Sequence, residues 1–282
     1  MSKINKSIWG KFGEIQGIGG KVLSFLDEII ENRKKSIKNI IDNYKVAKKI
    51  PRESGKFYNS IKNRSNVSII SEVKFASPSM GDIKEKSSIE KIVNAMESGG
   101  VIGFSVLTEP NYFKGSPDYL IIVREKSQKP ILMKDFFLHE SQLYFAADLG
   151  ANMVLIIASI LNKNQISNFI DLSRKLNLET LIEVHDKDDI NKIKGLDCKI
   201  IGINNRNLTD FSINIETTKK LIPNIRQEFP NSVIISESGI KSRKDVQFIV
   251  DAGADAILIG TSIMQAPDIT LKIIELKGEP IG

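Results

Sequence analysis

The chain is poor in the residues that build covalent and metal frameworks: among 282 residues it has one cysteine, Cys198, and two histidines, His139 and His185. A lone cysteine closes no internal disulfide and builds no cysteine zinc cluster, which points to a reducing, cytoplasm-like compartment. Two histidines without paired spacing argue against a histidine-based metal site. No apolar run approaches the ~20 residues of a membrane-spanning helix, so no membrane partner is expected. The first twenty residues, MSKINKSIWGKFGEIQGIGG, lack the continuous apolar stretch of a secretory signal.

What the chain has is a globular balance: 41% hydrophobic and 26% charged residues, which argues against disorder and supplies a full core. The length suits one α/β barrel with an N-terminal addition, or two smaller domains. The net charge of +6 is uneven, with 15 Lys and Arg against six Asp and Glu in residues 1–64. A basic arm can signal nucleic acid. Here the basic residues lie among helically spaced apolar ones and no nucleic-acid motif accompanies them, so they read as a solvated helix face and no nucleic-acid partner is expected.

From about residue 65, short apolar, β-branched runs alternate with amphipathic stretches. The runs are VSIISEVKF (67–75), GVIGFSVLT (100–108), PILMKDF (130–136), ANMVLIIASI (151–160), ETLIEVH (179–185), KIIGINNRN (199–207), NSVIISESG (231–239) and DAILIG (255–260). Runs apolar on both faces are strands buried on both sides. Their alternation with helix-like segments predicts a closed (β/α)8 barrel over residues 65–282, with residues 1–64 as an N-terminal helical extension. Residues 21–50 carry an apolar stripe of Val22, Leu23, Phe25, Leu26, Ile29 and Ile30, and predict a helix that Pro51 stops. That helix covers either the barrel floor or the substrate side, and residues 51–66 connect it to the first strand. Ser87 with Glu90 reads as a capping box, and His139-Glu140-Ser141-Gln142 opens a helix ending at Gly150. Ala147–Asn152 echoes Val250–Asp255, as a half-barrel repeat or shared helix-turn-strand constraints would produce.

The sharpest signal is polar residues inside apolar strands. Side chains alternate across a strand, so Glu72 and Lys74 share a face, as do Leu132 and Lys134, Leu181 and Glu183, Ile235 and Glu237. Gly202, Asn204 and Arg206 share another. All the polar members lie near carboxyl ends of strands, where barrel enzymes place their active sites. Each alone is explained by a salt bridge closing the barrel mouth. Together, on five strands at one end, they predict a site of converging opposite charges. Ser238-Gly239 and Gly260-Thr261, at the ends of the last two strands, predict a phosphate cradle of backbone amides.

These residues sit in stretches that resemble the indole-3-glycerol-phosphate synthase family. SEVKFASPSMG (71–81) is similar to the family's signature around the first strand. VLTEPNYFKGSPD (106–118), PILMKDF, LIEVH (181–185), GINNRNL (202–208) and SESGI (236–240) are similar to its later motifs, in family order. The likeness spans residues 21–268. Phe75 departs from it, standing where the family usually has a basic or small residue, and is expected to point away from the site.

The resemblance implies conversion of 1-(2-carboxyphenylamino)-1-deoxyribulose 5-phosphate to indole-3-glycerol phosphate, carbon dioxide and water, in tryptophan biosynthesis and without a cofactor. It implies Lys134 as principal general acid, its pKa lowered by burial or by Lys74, and Lys74 as second acid or phosphate contact. Glu72 and Glu183 are implied for proton removal and cation stabilisation, with the final base undecided. Asn204 and Glu237 are to orient the sugar hydroxyls, Arg206 to bind near the anthranilate, and Ser77 and Ser238 to add hydrogen bonds. Phe113, Phe136 and Leu208 would border the aromatic ring, and Gly239, Gly260 and Thr261 would bind phosphate. His185 reads as a structural strand-end histidine and His139 as a cap or surface group. The expected partner is the phosphorylated substrate alone, bound by a cytoplasmic monomer. Two alternatives stand beside this: a sugar isomerase of the same fold, which would need a cysteine at the carboxyl end, and a barrel that binds a phosphorylated ligand without catalysis.

Overall fold

A computed structural model describes residues 15–16, 22–23, 25–43, 55–62, 67–77, 81–83, 88–208 and 210–279. Parallel strands close a barrel in chain order: β1 (Ser68–Val73), β2 (Gly103–Leu107), β3 (Ile131–Lys134), β4 (Met153–Ile157), β5 (Glu179–Val184), β6 (Ile200–Asn204), β7 (Val233–Glu237) and β8 (Ala256–Ile259), with β8 beside β1. Each falls inside a run predicted from its β-branched, two-faced apolar character. The strands are shorter than the runs, which extend at one or both ends into the adjoining loops.

Alternation sorts the apolar residues into two cores. Leu132, Met153, Leu155, Leu181, Ile235 and Leu258 fill the barrel. Their neighbours Ile131, Val154, Ile182, Ile234 and Ile257 face the surrounding helices. Burying each such side chain contributes about 1.5–3 kcal/mol. On β5 and β7 the inward series runs from Leu181 to Glu183 and from Ile235 to Glu237, so the filling turns from apolar to charged at the carboxyl end. Phe75 is buried outside the barrel, edge-on to Tyr119 at 5.2 Å, as expected.

The N-terminal extension does two things. Helix α1 (Phe25–Asn43) reaches the carboxyl, substrate side of the barrel, where Leu26 and Ile29 line the cavity described below. Val22 and Leu23, expected in this helix, instead pair antiparallel with Gln16 and Ile15. A β-branched valine suits a strand better than a helix, and the pairing with Ile15 and Gln16 settles the choice. Helix α2 (Lys56–Lys62) lies within the stretch expected to be only a connector. It closes the opposite end, inserting the fully buried Phe57 among the residues that fill the barrel. Its N-terminus is capped from afar: the Glu179 carboxylate accepts from the Phe57 and Tyr58 amides, each at 2.8 Å. A cap supplied by so distant a residue leaves no local signature. Pro51 and Ser87 lie outside the described residues; the following helix α3 (Ile89–Ser98) has Ser88 at its N-cap without a side-chain bond. On α1 the basic residues Lys34, Lys35 and Lys38 are exposed, a solvated face.

The internal echo is a repeated structural device. Gly150 and Gly253, at φ 89° and 100°, end helices in the left-handed region open to glycine. Asn152 Oδ1 then accepts from the Ile131 amide at 3.0 Å and from Arg124 at 3.1 Å. Asp255 Oδ2 accepts from the Ile234 amide and from Arg226, both at 2.7 Å. The same arginine-to-strand knot thus ties β3 to β4 and β7 to β8.

Candidate active site

A cavity of about 920 Å³ opens at the carboxyl end of the barrel. Glu72, Lys74, Lys134, Glu183, Asn204 and Arg206 line it, delivered by β1, β3, β5, β6 and the residues just beyond. Ser77, Phe113, Phe136 and Leu208 also line it, as do Ser238, Gly239, Gly260 and Thr261. Glu237 is the exception. It is fully buried beside Lys134 and does not line the cavity wall.

Charge organises the floor. Lys134 Nζ lies 2.6 Å from Glu237 Oε2 and 3.4 Å from Glu72 Oε2, and Lys74 Nζ lies 2.6 Å from Glu72 Oε1. Burial pulls the Lys134 pKa down, but Glu237, Glu72 and Glu183 outweigh it and hold the ammonium above the ordinary lysine range. This corrects the expectation of a lowered lysine. Lys74 stands behind Glu72, and three carboxylates dominate the field at Lys134. Burial likewise pushes Glu72 up, yet Lys74 and Lys134 bring it down to about 2. Glu237 is raised to about 7 by burial and by the charges of Glu183 and Glu72, against the pull of Lys134. Glu237 fits only because residue 202 is glycine: a Cβ there would collide with Glu237 Oε1. That oxygen has no hydrogen-bond partner among the described residues.

Asn204 bridges the wall, its Oδ1 accepting from the Arg206 amide at 3.0 Å while its side chain also bonds Glu183. Arg206 donates to the Phe211 carbonyl at 3.2 Å. Across the cavity, Phe113 and Phe136 lie 6.2 Å apart and tilted 43°, forming an aromatic wall. At the β7 end, Ser238 and Gly239 take consecutive left-handed conformations, φ 68° and 86°. At the β8 end, Gly260 caps the short helix Thr261–Met264.

Several residues here were not singled out in the sequence. Arg33 of α1 donates to Asp135 Oδ2 at 2.6 Å, and Thr108 donates to the same oxygen at 2.6 Å, all three groups buried. Asp135 separates Lys134 from Phe136, so this knot fastens α1 to the backbone carrying both. Glu109 accepts from the Asn111, Tyr112 and Phe113 amides, fixing the loop that presents Phe113. Asp135 and Glu109 lie within recognised motifs, so their stretches were visible. Arg33 carries no such mark, because its partner is 102 residues away.

His139 is an exposed group at a helix start, its Nδ1 2.8 Å from Ser141 Oγ. Cys198 is buried before β6, at the amino end, and burial pushes its thiol up to about 12. It serves no chemistry at the opposite mouth.

With this geometry in place, the comparisons are decisive. A family model described as indole-3-glycerol phosphate synthase matches residues 26–276. The chain belongs to the indole-3-glycerol phosphate synthase family. A family member from Thermoanaerobacter sp. (strain X514) is 39% identical over 260 residues, covering 91% of this chain and 98% of that protein. Another from Acetivibrio thermocellus is 38% identical, covering 89% and 98%. One from Campylobacter fetus subsp. fetus is 38% identical, covering 90% and 99%. Among solved structures, the thiamine phosphate pyrophosphorylase from Pyrococcus furiosus has a TM-score of 0.56 at 13% identity, covering 75% of this chain and 94% of that one. That likeness concerns the fold alone. Within the synthase family, the present chain keeps its charged strand ends on a closed parallel barrel. Among the described residues, no helix is long and apolar enough to cross a membrane and no acidic, histidine or cysteine group could hold a metal ion.

Proposed function

We propose that the polar groups at the barrel mouth divide the work of converting 1-(2-carboxyphenylamino)-1-deoxyribulose 5-phosphate to indole-3-glycerol phosphate. The activity is that of a decarboxylating lyase of tryptophan biosynthesis. The observation that carries the division of labour is the Lys134 ammonium, protonated among carboxylates and facing the cavity.

The ring carbon bearing the carboxylate attacks the ketone carbon, and negative charge builds on the ketone oxygen. Lys134 donates its proton there. Held charged by the carboxylates around it, the ammonium also stabilises the oxyanion as it forms, and it gives up its proton to an alkoxide more basic than the amine. The carboxylate then leaves as carbon dioxide and the ring regains aromaticity. The new hydroxyl next departs as water, pushed by the aniline nitrogen, and a proton leaves the adjacent carbon. No electrons are gained or lost overall.

Dehydration needs an acid and a base on neighbouring atoms. Lys74 and Glu72 are such a couple, in contact at 2.6 Å. A carboxylate held near 2 is a weak base, but a C–H beside a cationic nitrogen system is acidic enough for it. Glu183 stays ionised and faces the cation that both steps build. Arg206 meets the anthranilate carboxylate with its guanidinium fork. Phe113, Phe136 and Leu208 border the aromatic ring, Asn204 and Ser77 orient the sugar, and Ser238, Gly239, Gly260 and Thr261 receive the phosphate. Glu237 holds Lys134 in place. The extension and barrel work as one unit, in a cytoplasmic monomer.

The test is to mix purified protein with the carboxyphenylamino-deoxyribulose phosphate in chelator and follow indole fluorescence. Signal that Lys134→Ala abolishes supports the reading. Binding without signal from folded protein overturns it in favour of a non-catalytic barrel.

A further inference from the structure

His185 follows Glu183 by two residues, just past the end of β5, in the position of an ordinary strand-end histidine, but its surroundings are unusual. The ring is nearly enclosed, its side chain 12% exposed, and lies between two carboxylates. Nε2 is 3.4 Å from Glu183 Oε1, and Nδ1 is 3.4 Å from Asp189 Oδ2. Asp189, on the helix after β5 (Lys187–Ile193), is itself fixed. Its Oδ2 accepts from the His185 amide at 3.0 Å, and its own amide donates to Asp186 Oδ1 at 2.9 Å. Lys192 Nζ lies 3.7 Å from Asp189 Oδ1 and is occupied with the Ala158 carbonyl at 2.6 Å. Neither ring nitrogen completes a hydrogen bond at these distances, but each faces a carboxylate, and negative charge on both sides favours the imidazolium.

The other side of Glu183 faces the cavity with Lys134 and Asn204. At the floor, two ammoniums, Lys74 and Lys134, stand among three carboxylates, Glu72, Glu183 and Glu237. Glu72 has both lysines beside it and Glu237 has Lys134, whereas among the described residues Glu183 has no lysine within ion-pair distance, and the cation against it is His185, directly behind it.

We infer that His185 is a positioning residue, seated between Asp189 and Glu183, that keeps the Glu183 carboxylate fixed and charged against the cation formed on the substrate ring. This rests on the reaction proposed above and adds a row of alternating charges running outward from the site, Glu183, His185 and Asp189. Burial alone would lower the imidazole pKa; Asp189 and Glu183 reverse it and raise it to about 10. In return the imidazolium helps hold Glu183 below the ordinary carboxylate range despite its burial.

With only two histidines in the chain, the test is direct. In His139→Gln protein, altered at an exposed position, His185 is the sole histidine, and its ring nitrogens report its protonation by nitrogen-15 NMR. The expected ring is an imidazolium at pH 8, titrating at least about one unit lower once Glu183→Gln or Asp189→Asn removes a neighbour. In His185→Gln, kcat at neutral pH should fall about 10- to 100-fold with KM nearly unchanged, and the acid limb of the kcat profile should move up by about one unit. His185→Lys, which restores the charge, should recover part of the loss. A neutral ring at pH 7 overturns the inference, as does a His185→Gln protein that loses stability yet keeps its kcat and pH profile. Wild-type protein that forms no indole overturns instead the assigned reaction, and with it the role of Glu183. A neutral ring in active enzyme removes His185 alone.

Discussion

Lys134 Nζ and Glu237 Oε2 lie 2.6 Å apart across the barrel, the lysine at the cavity floor and the glutamate wholly buried beneath it. The lysine is therefore pinned and protonated before any substrate arrives. Lys134→Ala is expected to lower kcat by about 10²- to 10⁴-fold, with substrate affinity largely intact. Single-turnover fluorescence and equilibrium binding separate the two effects; unchanged turnover would sink the acid role.

The glutamate has room only beside a residue with no side chain. Gly202→Ala would place a methyl group against Glu237 Oε1 and 3.1 Å from Leu181 Cδ1. Overpacking of this kind costs about 1–3 kcal/mol. Turning the carboxylate away from the methyl group disturbs its Oε2 contact with Lys134, so the variant should lose kcat more than its stability loss explains. Urea unfolding beside steady-state kinetics checks this, and wild-type kcat in the variant would refute it.

Arg206 is expected to select the anthranilate carboxylate. Losing a charge-assisted bond of about 1.5–3 kcal/mol weakens a ligand by roughly 10- to 100-fold. Arg206→Ala should therefore weaken carboxyphenylamino ligands by that factor and decarboxylated phenylamino analogues much less. Calorimetric titration of both ligands decides it; equal losses would remove the assignment.

Arg33 fastens α1 through Asp135 to the end of β3, between Lys134 and Phe136, both partners buried. Breaking such a pair from one side leaves an uncompensated buried charge and costs about 3–5 kcal/mol. Arg33→Ala should lower the urea midpoint accordingly and reduce kcat, since α1 also roofs the cavity with Leu26 and Ile29. A variant of wild-type stability would show that the pair contributes nothing.

The His185 pair also leaves a thermodynamic trace. A group whose folded pKa is raised, here from 6.5 to about 10, stabilises the fold fully below pH 6.5 and loses that contribution as pH rises through about 10. The stability gap between wild type and His185→Gln should thus be widest near pH 6 and close toward pH 10. Unfolding titrations at pH 6, 8 and 10 measure it; a constant gap would contradict the ion pairing.

The sequence by itself determined the barrel and most of its mouth. Strand burial on both faces is written as β-branched runs, and a charge in such a run, such as Glu183 after Leu181, stands out because local alternation fixes which way it points. The glycine turns after the last two strands were legible from their position, whereas Phe113 and Phe136 were singled out only through the family resemblance, each inside a short motif. Tertiary structure alone decided what touches what. It set Glu237 under Lys134, raised that lysine's pKa, brought Arg33 to Asp135 and Glu179 to the N-terminus of α2, and put His185 between two carboxylates. These are relations among side chains distant in sequence or direction. They depend on barrel closure and on three-dimensional electric fields, which fall off with distance in space and not with separation along the chain.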